Sequence, residues 1–195
     1  MRKGLIMDLQ NIQWKLHLAD GSSPDPHEWF KAFATWIQGS PEVFVDVADY
    51  SHVEDGPVIF LSGHIVCYSL DGAGRRLGLL YERRQPAEGS NAEKLRESLT
   101  SLLKHAQLLE DDETFTRKPK FLAGDIKFIV NNRGIAPNNE ATFAALKPEL
   151  EPLLAKVYGP GAFTLTREPD TRQRFMVYVK AKTPVTVGEA LKKLG

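Results

Sequence analysis

Ile12-Gln13-Trp14-Lys15-Leu16-His17-Leu18 decides the fold, because apolar and polar residues alternate through it without a break. A two-residue period places Ile12, Trp14, Leu16 and Leu18 on one face of a strand and Gln13, Lys15 and His17 on the other. A comparable stretch returns at Asp125-Ile126-Lys127-Phe128-Ile129-Val130. Each copy is followed by a glycine-containing turn, an amphipathic helix and further strand-like runs, so one pattern is spelled twice, near residues 12–66 and again near 125–182.

Working outward from the first copy, Gly21-Ser22-Ser23-Pro24 reads as a turn. Asp25-Pro26-His27-Glu28 then supplies an N-cap, a proline at the first helical position and a glutamate spaced for a capping box. Trp29, Phe30, Phe33, Trp36 and Ile37 form an apolar stripe, read as core, and Gly39 ends the helix. Val43 to Tyr50, Pro57 to Tyr68 and Arg76 to Arg83 read as three strands, with turns at Glu54-Asp55-Gly56-Pro57 and Asp71-Gly72-Ala73-Gly74. Ser90 and Glu93 open a long helix whose apolar stripe runs Leu95, Leu99, Leu102, Leu103, Ala106 and Leu109. The polar run from Glu110 to Lys120 is the best linker. In the second copy a helix begins near Asn139, and Pro148 and Pro152 are expected to kink or divide it. Phe163 to Glu168 and Arg174 to Lys182 form a closing hairpin, and Val187 to Leu194 a terminal helix.

This order implies an α+β fold of two split β-α-β units, β-α-β-β-β-α over residues 1–113 and β-α-β-β-α over 114–195, in one body with a mostly antiparallel sheet and helices on one face. The repeat resembles tandem ferredoxin-like proteins, including small-molecule-sensing modules of the ACT type and dimeric α+β barrels. That resemblance implies two side-by-side or facing units, with the first strand next to the third.

Composition narrows the function classes. In 195 residues, 42% are hydrophobic and 26% charged, as in ordinary globular chains. The single cysteine, Cys67, excludes an internal disulfide or a multi-cysteine metal site. It is expected to point into the core. No run has the length of a membrane span, and Asp8 interrupts the amino-terminal apolar stretch, so the expected location is the cytoplasm. Net charge is zero, with 11 Lys/Arg against 15 Asp/Glu in residues 1–110 and 14 against 10 thereafter. Such halves can attract within or between chains, which makes a homodimer an expectation.

If the faces bearing Trp14, Val45, Val47, Ile59 and Leu61 are covered by helices, His17, Asp46, Tyr50, Phe60, Ser62 and His64 gather on the open face. These six are the candidate ligand-binding residues, the aromatics forming walls and the polar groups fixing orientation. His17, Asp46 and His64 are also the candidate metal ligands, since imidazole and carboxylate suit zinc or non-haem iron. Ser62, His64 and Asp46 have the residue types of a nucleophilic triad, but Ser62 and His64 project side by side and no residue is assigned a catalytic role. Burial of the histidines in an interface with the second unit is the plainer reading of the same residues. Asp71-Gly72-Ala73-Gly74-Arg75-Arg76 could cradle a phosphate but does not open a helix. The alternating Arg172, Arg174, Met176, Tyr178, Lys180 and Lys182 make a basic stripe on a neutral chain, so nucleic acid is not the expected partner. No motif names a cofactor. The sequence therefore supports a non-catalytic binder of a small molecule or partner, with a metal- or haem-dependent oxidoreductase of the α+β-barrel type and a homodimeric scaffold as alternatives.

Overall fold

Every side chain of β1 (Ile12–Leu18) is buried, on both faces of the strand. Its position in the sheet explains this. In the computed structural model, which describes residues 7–22 and 25–195, the chain continues through α1 (Pro26–Gly39), β2 (Phe44–Asp49), β3 (Pro57–Gly63), β4 (Val66–Asp71), β5 (Gly78–Arg83) and α2 (Asn91–Asp111). The second half comprises β6 (Phe121–Val130), α3 (Glu140–Tyr158), β7 (Phe163–Arg167), β8 (Phe175–Ala181) and α4 (Val187–Leu194). The eight strands form one antiparallel sheet in the order β2-β3-β4-β5-β1-β6-β8-β7, so β1 lies in its interior. Residues 1–6, and Ser23 and Pro24 of the expected turn, lie outside the described residues.

The helices share one face of the sheet, with α1 on β2 and β3, α2 on β1 and β5, α3 on β7 and α4 on β6. One apolar core spans both halves of the chain. At its centre Trp14 packs edge-on against Phe128 at 4.6 Å and donates its indole N–H to Ser98 on α2 at 2.8 Å. Among the described residues no helix is long and apolar enough to cross a membrane.

Three expectations are corrected. The run Pro57 to Tyr68 is two strands, folded at His64-Ile65. Gly63 permits that turn, because a Cβ there would stand 2.0 Å from the Val66 carbonyl oxygen, far inside contact distance. The first half thus holds five strands, and β1 pairs with β5 and β6 instead of with the third strand. In the second half, Pro148 and Pro152 do not divide α3, which is one helix through both. Both prolines are exposed. Their four-residue spacing puts them on one solvent-facing stripe, where water can satisfy the carbonyls that lose an N–H donor.

The helix starts follow the sequence with one change. Ser90 and Glu93 form the expected reciprocal capping box, and Asp25 caps α1 by accepting from the His27 amide at 2.9 Å. Glu28 does not complete a box but accepts the Thr116 amide at 3.0 Å. That bond anchors the polar connection between the halves, where Phe115 is buried against Trp29 at 5.7 Å.

Candidate functional site

The sheet parity places Asp46, Phe60 and Ser62 on the helix-free face, as expected. A bulge between Phe44 and Asp46 turns Phe44 inward and leaves Val45 exposed, so Val45 does not belong to the core face. His17 is on the helix-free face of β1, three ladder steps from β3, roughly 14 Å at ordinary strand spacing. His64 lies in the β3–β4 turn, exposed, and Tyr50 follows the end of β2 beside His52. The structure therefore does not bring His17, Asp46 and His64 together. Among the described residues no group of three or more His, Cys, Asp or Glu side chains is placed to hold a metal ion. The adjacency of first and third strands, on which that ligand set depended, is replaced by the longer meander.

What the helix-free face does hold is a set of mutually satisfied charges. Lys15 and Asp71 form an ion pair at 2.6 Å, although they are 1% and 5% exposed, and Lys15 also donates to the Ala73 carbonyl at 3.0 Å. Burial lowers the Lys15 pKa, against the opposing pull of Asp71. His17 Nδ1 lies 3.0 Å from the Asp125 carbonyl oxygen, which can only accept, so Nδ1 carries the proton. Burial, and then the Arg76 guanidinium, push this imidazole down to about 4. The contact with the Asp125 carboxylate at 3.2 Å is therefore made by a neutral ring.

The expected phosphate cradle is filled from within. The Gly74 amide donates to Asp55 at 2.9 Å and Arg76 to Asp125 at 3.0 Å. The basic stripe is likewise engaged, with Arg172 on Asp170, Arg174 on Gln13 and Asn131, and the Tyr178 hydroxyl on Glu168 at 2.5 Å. Cys67 is buried, but cross-strand from Glu82 and hence on the helix-free side instead of in the core under the helices. Its sulfur accepts from the Gly63 amide at 3.4 Å.

A second arrangement lies on the helix-bearing side, where a cleft of about 1870 Å³ runs between the end of α1, the β3–β4 turn, α2 and α4. Trp36, Val43, Ile65, Tyr81 and Leu108 contribute apolar wall, with Glu42, Ser101 and His105 beside them. Val43, Ile65 and Leu108 are 69%, 49% and 54% exposed, so half of the six large apolar side chains most exposed among the described residues meet in one place. A smaller hollow of about 630 Å³ between α3 and β7 has no buried side chain in its lining.

Local sequence explains the cleft's polar group. Ser101 and His105 stand four residues apart, which puts them on one face of α2. Ser40, directly after α1, caps the next turn by accepting the Glu42 amide at 3.0 Å. Tyr68 reaches through the sheet face from β4, its ring centroid 4.2 Å from that of His105, and Trp36 closes the other side at 4.9 Å.

The hydrogen bonds in this group have a direction. His105 Nδ1 lies 2.9 Å from the Ser101 carbonyl, so it carries the proton and donates. The Tyr68 hydroxyl, 2.8 Å from the same nitrogen, must then donate to Ser101 Oγ at 2.7 Å. Ser101 Oγ in turn donates to Glu42 Oε1 at 3.4 Å. Burial lowers the His105 pKa and raises that of Glu42, while it raises Tyr68 well above the ordinary tyrosine value. Glu42 Oε2 is buried without a hydrogen-bond partner, and His105 Nε2 stands 4.0 Å from it. The group therefore ends in two acceptors with no donor between them. The polar spacing on α2 was the available sequence signal, masked by the stronger leucine stripe beside it.

Comparison of the chain with models of known protein families, with curated proteins and with solved structures found no match.

Proposed function

We propose that this protein is a non-catalytic binder of a small molecule, held in the cleft between α1, α2, α4 and the β3–β4 turn. The observation that carries this reading is the coincidence of exposed Val43, Ile65 and Leu108 with a buried, unpartnered carboxylate oxygen in the same concavity. Apolar walls with a few convergent polar groups are the usual make-up of ligand pockets, and a buried polar atom without a protein partner takes one from water or from a ligand. The helix-free face is the weaker choice, because its charges already satisfy one another.

We also read the architecture as two split β-α-β units joined side by side through β1 and β6. The pairing of those two opening strands and the order β6-β8-β7, with the third strand of the second unit inserted between its first two, support that reading. In the first unit three strands are inserted at the same place.

The binding proposal is tested by screening a library of apolar and amphipathic compounds for thermal stabilisation of the full chain and of an Ile65→Glu/Leu108→Glu variant. Both side chains are about half exposed, so their replacement should leave the unliganded melting temperature nearly unchanged. Ligands that saturate the native chain at 100 times Kd should stabilise it by about 2.7 kcal/mol, and the variant should lose this response. Hits that stabilise both proteins equally would place the site elsewhere. A change in solution mass on substitution, without any hit, would instead make this face a contact between copies of the chain.

A further inference from the structure

We propose that the ligand of the cleft carries a protonated amine, seated between Glu42 and His105, on an apolar body that lies against Trp36 and Ile65. This rests on the cleft-binding reading above and adds the chemical class. The directed chain of hydrogen bonds uses every donor in the group: the His105 Nδ1 proton goes to Ser101 and Tyr68, the tyrosine proton to Ser101 Oγ, and the serine proton to Glu42 Oε1. Glu42 Oε2 and His105 Nε2 remain, 4.0 Å apart, and both can only accept while the imidazole is neutral and the carboxylate ionised. A ligand that satisfies both must bring at least two hydrogens on one small atom.

An ammonium group does this and adds an opposite charge to the carboxylate, and charge-assisted hydrogen bonds are about twice as strong as neutral ones. A hydroxyl brings one hydrogen and leaves one acceptor unmet. A ligand carboxylate would face Glu42 with like charge. A guanidinium fork matches two free carboxylate oxygens, but Oε1 is already engaged by Ser101. Of the cations lining the cleft, Arg83 is committed to Glu97 at 2.9 Å.

The test is a titration of the full chain at neutral pH with 4-phenylbutylamine, 4-phenylbutanol and 4-phenylbutyrate, followed by the indole N–H signal of Trp36 in proton–nitrogen NMR, assigned with Trp36→Phe. The amine is expected to bind roughly tenfold to a hundredfold more tightly than the alcohol, as a hydrogen bond to a charged group allows, with the butyrate weakest. Glu42→Gln should abolish the preference while the alcohol still binds. Equal binding of amine and alcohol, unaltered by Glu42→Gln, would overturn the amine class and leave the cleft reading intact. If none of the three compounds moves the Trp36 signal, both readings fail.

Discussion

Replacing Lys15 with methionine is expected to destabilise the protein by about 3–5 kcal/mol, the usual cost of removing one partner from a buried ion pair. Lys15 and Asp71 are almost without solvent exposure and meet at 2.6 Å. Methionine fills the space of the lysine stem but leaves the Asp71 carboxylate buried and uncompensated. A Lys15→Met/Asp71→Leu double variant should recover most of the loss, because well-packed apolar groups of similar volume often replace such a pair at little cost. Lys15 also faces Lys127 directly across β1 and β6. Relief of that like-charge contact works in the opposite direction but is worth less than about 1 kcal/mol. Urea denaturation of the two variants measures both quantities. A loss below 1 kcal/mol in Lys15→Met would show that the helix-free face is wetter than the buried pair implies.

Acidification should reveal His17 as the second large effect. Its imidazole is held at about 4 in the folded chain, against an ordinary value of 6.5, chiefly by burial. Between those values the unfolded chain binds a proton that the folded chain does not, so stability must fall as pH drops from 6.5 towards 4. The stabilising contribution is complete above 6.5 and exhausted below about 4. A displacement of that size corresponds to roughly 3 kcal/mol. His105 is lowered in the same direction and adds to the slope in this window. His17→Gln should therefore flatten the pH dependence of unfolding without abolishing it, and an NMR titration of the native His17 ring should show no midpoint near 6.5. A normal His17 titration would contradict the burial that sets this expectation.

Much of the fold was legible because its signals are local. The alternation in Ile12–Leu18, the capping box at Ser90 and Glu93 and the leucine stripe of α2 each specify an element without reference to anything distant. The order of the strands was not legible, since it depends on which edges meet. The two-residue turn at His64-Ile65 lies inside an apolar run, and the order it belongs to puts β4 and β5 between β3 and β1, which separates His17 from Asp46 and His64. Burial of Lys15 was equally invisible, because a polar residue on an alternating strand reads as solvent-facing unless the sheet is known to continue on both sides, whereas burial of His17 against the second unit, where Asp125 meets it, was among the readings of the sequence. The cleft group was half legible. Ser101 and His105 share a helix face in the sequence, whereas Tyr68 and Glu42 join them only through the packing of β4 and the α1–β2 connection against α2.

A ligand in the cleft on the helix-bearing side should leave a local footprint. Backbone and indole chemical-shift mapping of the uniformly labelled chain, saturated with the strongest stabilising compound, records it. The predicted result is one contiguous set of perturbations through Trp36, Ile65, Ser101, His105 and Leu108, with Lys127 and Tyr178 unmoved. Perturbations gathered instead around Phe60, Lys127 and Tyr178 on the helix-free face would contradict it.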